Sequence, residues 1–239
     1  MALTAAMPVL AQAQAPAAAT PAAPAAAAPA GAEMTPEQIA AFNTAVTDFT
    51  AGQTAQQAGD NATAVTKYEA ALPAIRKAVE VQPDKIDNVT FLANVLYADA
   101  AAQSGLGKTD LVIALFNESV PHWRKVVAAK PTDAASRDIF AGLLTQLGNQ
   151  KLAGQDKPGA DAFYAEAVTL ARKSAAEKPA DAATKNLLLG ALIGQSQTSA
   201  DPKVKEEAVS MSKAMLADGT ADAVNKPSAQ ALTGAPAAG

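Results

Sequence analysis

The sequence predicts an all-α protein, an α-solenoid of about four stacked antiparallel helix pairs. Apolar residues recur at helical spacing, and no stretch shows the period-two alternation of strands. Alanine, the best helix former, dominates several stretches, whereas aromatic residues make up only 4% of the chain. One pattern of turn, apolar stripe, Arg-Lys pair and proline also returns at a fixed interval, which indicates a repeat architecture.

The N-terminal segment, residues 1–33, differs from the rest in composition. Residues 2–11 form a short apolar run that leads into Ala-Gln-Ala sequences, the small-residue spacing of a signal-peptidase site, yet no Lys or Arg precedes Lys67. Residues 16–31 are almost entirely alanine and proline. Two interpretations stay open: an export signal followed by a disordered linker, or a plain Ala/Pro tail. The first predicts a periplasmic or secreted protein, and the second fits a cytoplasmic one.

The helical pattern covers residues 34–226. It starts at Thr35-Pro36-Glu37, which is typical of an N-cap, a first-turn proline and a first-turn acid. Gly59-Asp60-Asn61 predicts a turn and the N-cap of the next helix. That helix has one apolar stripe, formed by Val65, Tyr68, Leu72, Ile75 and Val79. Pro73 within it predicts a kink or a break.

This second helix recurs twice further along the chain. Pro83, Pro131 and Pro179, which close the three copies, are spaced 48 residues apart. The aspartates that follow these prolines, Asp84, Asp133 and Asp181, are predicted to cap the next helix. That helix is the first one of each unit, and its apolar face is formed in turn by Val89, Leu92 and Leu96, by Phe140 and Leu144, and by Leu188 and Leu192. From Pro227 the sequence predicts a loose tail, residues 227–239.

The copies resemble the tetratricopeptide repeat. The resemblance rests on Gly59-Asp60, Ala64-Val65, Tyr68 and Ala71-Leu72 in the second helix, on the small residues Ala93 and Ala141 in the first helices, and on the closing prolines. The unit of 48 residues is longer than the family's, which has about 34, by about two turns in each helix. The resemblance implies stacked hairpins whose first helices line a concave, partner-binding face.

In this register, polar side chains of the first helices are predicted to face that concave surface. They are Thr90, Asn94, Tyr97, Asp138, Thr145, Gln146 and Asn186. The family's clamp for a C-terminal carboxylate needs a basic residue on the same face, whereas Arg137 and Lys185 fall one position off. We therefore expect a groove for an extended or helical peptide of a protein partner.

The Arg-Lys pairs also recur at the repeat spacing, at Arg76-Lys77, Arg124-Lys125 and Arg172-Lys173. Stacked repeats would align Arg76, Arg124 and Arg172 as a basic ladder. One interpretation is a site for an anion or an acidic peptide. The other is a solvated outer face whose arginine stems cover apolar surface.

Composition excludes several classes of function. A formal net charge of −4 argues against nucleic acid as the main partner, because phosphates need a basic face. No apolar stretch is long enough for a transmembrane helix. The absence of cysteine removes disulfides and thiolate metal sites. His122 is the single histidine, and no further ligand or nucleophile converges on it, so neither a metal nor a cofactor is predicted.

These observations favour a non-enzymatic protein-interaction scaffold of the bacterial cell envelope. Two alternatives stay open. One is a structural homo-oligomer, in which the ends of the stack bind each other. The other is an enzyme that uses His122 or a carboxylate pair in the solenoid groove.

Overall fold

The computed structural model describes residues 32–234, so the predictions for the signal-like segment and for the last five residues lie outside the described part of the chain. Within it the chain forms nine α-helices and no strand, and adjacent helices pack in pairs. The predicted all-α, solenoid-like fold is therefore confirmed. The described residues fall into two compact units, 32–130 and 131–234.

The first unit contains two helix pairs. Its helices are α1 (Pro36–Gln57), α2 (Asn61–Val81), α3 (Ile86–Gly105) and α4 (Thr109–Ala129). Helix α1 packs against α2, α3 packs against α4, and α2 also packs against α3. Because short turns join each pair, the paired helices are antiparallel.

The second unit also contains two pairs, followed by a short final helix. Its helices are α5 (Ala134–Ala153), α6 (Lys157–Glu177), α7 (Ala182–Gln195), α8 (Pro202–Ala217) and α9 (Lys226–Thr233). The prediction of a loose tail from Pro227 is wrong for α9, whose Ala229 is fully buried beside Leu189, Ile193 and Met215. The last hairpin of a repeat array has no following neighbour, and α9 covers its apolar face.

The helix bounds repeat with the predicted interval. Helices α2, α4 and α6 begin at residues 61, 109 and 157, and they end at residues 81, 129 and 177. Helices α2 and α4 continue through Pro73 and Pro121, so the helix break allowed by these prolines does not occur. The sequence repeat is therefore a structural repeat of 48 residues.

Most of the predicted caps are present. Thr35 and Gln38 form a reciprocal capping box at α1, and the carboxylates of Asp60, Asp133 and Asp181 accept backbone N–H groups of α2, α5 and α7. Asp84 is the exception. The N-cap of α3 is Lys85, and the Asp84 carboxylate accepts from the Lys125 ammonium at 2.7 Å instead.

A tyrosine packed on a glycine holds the first helix pair of each unit together. Tyr68 of α2 lies so close to Gly52 of α1 that a Cβ there would sit 2.6 Å from the ring. Tyr164 of α6 meets Gly148 of α5 in the same way, again at 2.6 Å. Both tyrosines are fully buried. The glycines thus permit a close helix approach that any larger residue would prevent.

A candidate interaction face on the first helices

The predicted concave-face residues of the first unit have different environments. The Thr90 hydroxyl donates to the Ile86 carbonyl oxygen at 2.7 Å. Tyr97 is only 7% exposed and stacks on Phe116 with a centroid distance of 6.1 Å, so its ring belongs to the core and burial raises its pKa. Asn94 is half-buried and has no hydrogen-bond partner among the described residues. Only Thr90 and Asn94 therefore reach the surface.

In the second unit, two of the predicted residues tie helices together. Asp138 accepts a hydrogen bond from the Ser174 hydroxyl of α6. The buried Asn186 side chain donates to the Thr220 carbonyl oxygen at 2.8 Å and accepts from the Asp222 backbone N–H at 2.9 Å. Asn186 thereby fixes the segment that leads into α9, and it is not available to a ligand.

The remaining two predicted residues lie on α5. The Thr145 hydroxyl donates to the Ala141 carbonyl oxygen at 2.9 Å, whereas the half-buried Gln146 has no hydrogen-bond partner among the described residues. The neighbouring Arg137 cannot supply the basic residue that a clamp for a C-terminal carboxylate needs. Its guanidinium is buried, and it donates to the Ser174 hydroxyl, the Glu177 carboxylate and the Pro131 carbonyl oxygen.

The basic ladder connects successive repeats. Arg76 of α2 forms a bidentate pair with Glu118 of α4, at 2.7 and 2.9 Å, and Arg172 of α6 donates to Glu207 of α8 at 2.7 Å. Arg124 is exposed. The adjacent lysines contact the preceding repeat. The Lys125 and Lys173 ammonium groups donate to the Pro83 and Pro131 carbonyl oxygens at 2.7 and 2.8 Å. Pairing of Arg76 and Arg172 within the chain favours a structural role for the ladder.

The Arg76–Glu118 pair should contribute modestly to stability. Both side chains are about one third exposed, so water screens their attraction. In a double-mutant cycle of Arg76→Ala and Glu118→Ala, we expect a coupling free energy of about 0.5–1 kcal/mol. Urea denaturation followed by the fluorescence of the single tryptophan, Trp123, measures it. A coupling of zero would show that the pair does not hold α2 to α4.

His122 lies half-buried on α4. Burial lowers its pKa, and the neighbouring Glu118 carboxylate opposes that shift. Across residues 32–234 no three His, Asp or Glu side chains are grouped so that they could hold a metal ion.

A patch that the sequence analysis missed lies on α1 and α3. The ring of Phe91 on α3 packs edge-on against Phe42 and Phe49 of α1, with centroid distances of 5.6 and 5.2 Å. All three rings are half-buried. Beside them on α1, Ile39 and Val46 are 48% and 41% exposed. We call this surface, formed by Ile39, Phe42, Val46, Phe49, Phe91 and Asn94, the phenylalanine face.

The phenylalanine face occupies the register in which the concave face was predicted. Phe42, Val46 and Phe49 lie one repeat of 48 residues before Thr90, Asn94 and Tyr97. The same helix positions are thus polar or core-forming in the second repeat and apolar and partly exposed in the first. Aligning residues 90–97 with the sequence 48 residues earlier would have identified these three residues, because they form an apolar stripe on α1.

Comparisons with protein-family models, with curated proteins and with solved structures found no match for this chain. In the part of the chain that the structure describes, no helix combines the length and hydropathy needed to span a membrane.

Proposed function

We propose that the protein is a non-enzymatic scaffold that binds a protein partner through the phenylalanine face. The observation that carries this proposal is the exposure of Ile39 and Val46 directly beside three half-buried phenylalanine rings. Contiguous apolar surface on a folded chain is typical of interaction sites. Aromatic rings are enriched there, and charged residues are depleted.

We also propose a relationship to the tetratricopeptide repeat and export to the cell envelope. Paired helices and a 48-residue structural repeat support a relationship to the tetratricopeptide repeat, with longer helices. The apolar run of residues 2–11 and the Ala-Gln-Ala sequences that follow support export to the cell envelope. A partner bound on α1 and α3 fits the expectation that partner contacts come from the first helix of each unit.

The proposal is tested by crosslinked capture from an extract of the native host. Asn94→Glu places a charge on the phenylalanine face, and burying that charge against an apolar partner is unfavourable. We expect this variant to lose at least about 90% of the captured partner, which corresponds to a loss of about 1.4 kcal/mol in binding. Circular dichroism of the variant confirms that the helices are retained.

Thr66→Glu is the matched control, because Thr66 is exposed on α2, away from the face. It should capture the same partner as the wild type. Equal capture by Asn94→Glu and by Thr66→Glu would move the binding site away from the phenylalanine face. No specific capture by the wild type would count against a scaffold.

A further inference from the structure

Two fully buried polar side chains, Asp99 and Gln103, lie one turn apart on α3 and form what we call the buried polar pair. Among the described residues, no side-chain nitrogen or oxygen of either one forms a hydrogen bond. They continue a line that starts at Val95, which is also fully buried, at four-residue spacing. The equivalent residues of α5 are Leu143, Leu147 and the half-exposed Lys151. The buried polar pair therefore distinguishes α3 from α5.

The buried polar pair faces α2. After burial, the Glu69 carboxylate of α2 is the main cause that raises the pKa of Asp99, and Asp99 in turn, after burial, raises the pKa of Tyr68 of α2. Helix α2 belongs to the first hairpin of the unit, α1–α2, whereas α3 belongs to the second, α3–α4. We call this contact of α2 with α3 the hairpin joint. The buried polar pair thus lies inside the contact between two hairpins.

Buried polar groups without hydrogen bonds weaken the hairpin joint. Closing the joint removes the carboxyl and the amide from water and gives them no hydrogen bond in return, so their desolvation cost is present only while the joint is closed. If the hairpins separate, water binds both groups. Local openings of a folded chain need less free energy than global unfolding, and they occur first where the packing is least stable.

The two ends of the hairpin joint are held differently. At one end, the turn of residues 82–85 connects α2 to α3 covalently, and the Lys125 ammonium of α4 donates to the Pro83 carbonyl oxygen and to the Asp84 carboxylate, each at 2.7 Å. At the far end, Gly105 of α3 meets the Asn61 side chain of α2, with no room for a Cβ between them. The buried polar pair lies toward this far end.

We propose that the two hairpins separate at the far end of the joint by rotation about the turn of residues 82–85, while both hairpins stay folded. The rotation brings the buried polar pair into contact with water. Because α1 moves with α2, it also changes the distance of Phe49 from Phe91 in the phenylalanine face. That consequence for partner binding rests on the proposed function, whereas the rotation itself does not.

Thiol labelling of the full chain measures this separation. The chain has no cysteine, so Val95→Cys and Val126→Cys each carry one thiol, at positions that are fully buried. Val95 lies in the joint. Val126 of α4 lies within its own hairpin, since its repeat equivalent, Ser174, donates to Asp138 of the helix paired with it. With iodoacetamide, followed by mass spectrometry, Val95→Cys should react at least about tenfold faster, because it needs only the local separation. Equal rates would mean that both thiols react through unfolding, and would overturn the proposal.

Leucine in place of the buried polar pair should close the joint. In Asp99→Leu/Gln103→Leu, the ratio of the Val95→Cys rate to the Val126→Cys rate should fall by at least about tenfold, and Asp99→Leu alone should lower it less. Ser104→Ala, at an exposed position of α3, is the control and should leave the ratio unchanged. An unchanged ratio in both leucine variants would overturn the proposal. Labelling requires no partner, so its result is independent of the capture experiment.

Discussion

Replacing Asp99 with leucine is expected to raise the free energy of unfolding by about 1–3 kcal/mol. Asp99 lies in α3 with no exposed surface, and among the described residues neither carboxylate oxygen has a hydrogen-bond partner. Leucine has the same branched shape without the polar atoms. The equivalent position one repeat later is already Leu147, which is buried in α5. Urea denaturation monitored by Trp123 fluorescence measures the change, and a loss of stability would contradict this interpretation of the site.

Asp99 should also make stability depend on pH. Burial, and secondly the Glu69 carboxylate, raise the pKa of Asp99 to about 10 in the folded protein. In the unfolded chain its pKa is about 4, so between these values the folded state holds a proton that the unfolded state has released. The contribution of Asp99 to stability is therefore greatest at acid pH. It falls as pH rises through this window, by up to about 1.4 kcal/mol per pH unit.

Asp99→Asn is the control for this pH dependence, because the amide has a similar shape and does not titrate. Unfolding of both proteins is measured between pH 5 and pH 8. The difference in unfolding free energy between the variant and the wild type should grow as pH rises. A difference that stays constant with pH would mean that Asp99 is ionised in the folded protein.

Gly148→Val is expected to destabilise the second unit by about 2–3 kcal/mol. The new Cβ would lie 2.6 Å from the Tyr164 ring, which cannot retreat. That ring is fully buried, a Cβ at Gly194 would also lie within 2.6 Å of it, and its hydroxyl donates to the Asn149 side-chain oxygen at 2.6 Å. Thermal unfolding followed by circular dichroism should show a lower midpoint than in the wild type.

Two variants show whether the clash causes this loss. Gln150→Val places valine at an exposed position of the same helix, so it should change stability by less than about 0.5 kcal/mol. The double variant Gly148→Val/Tyr164→Leu should lose less unfolding free energy than the two single variants lose together, because the smaller leucine side chain leaves room for valine. Additive costs would show that the glycine and the tyrosine act independently.

The sequence predicted the repeat well because the same local signals recur at every boundary. Turn glycines, capping aspartates and closing prolines all stand one repeat apart, and the helix bounds follow them. Asp84 failed as a cap for a local reason. It follows its proline directly, whereas Asp133 and Asp181 come two residues after theirs. Helix α9 was missed because its short proline- and alanine-containing sequence has a weak helical pattern, and burial of Ala229 decides its structure.

The candidate site was predicted only in part. The sequence places Tyr97 and Asn186 on the first helices, but it does not show that Phe116 covers the tyrosine or that Thr220 and Asp222 bind the amide. Such contacts join helices far apart in sequence. The search for polar residues also passed over Val46 and the three phenylalanines, since an apolar stripe on a helix is usually part of the core. In α1, however, Ile39 and Val46 are 48% and 41% exposed.

Site-specific photocrosslinking directly tests whether a protein partner binds at the phenylalanine face. A photoreactive phenylalanine analogue replaces Phe91 in one variant and Thr66 in another, and both are irradiated in an extract of the native host. We expect a discrete crosslinked protein from position 91, with a mass different from a dimer of this chain, and none from the exposed position 66. The same crosslinks from both positions, or none from position 91, would contradict a scaffold that binds its partner through the phenylalanine face.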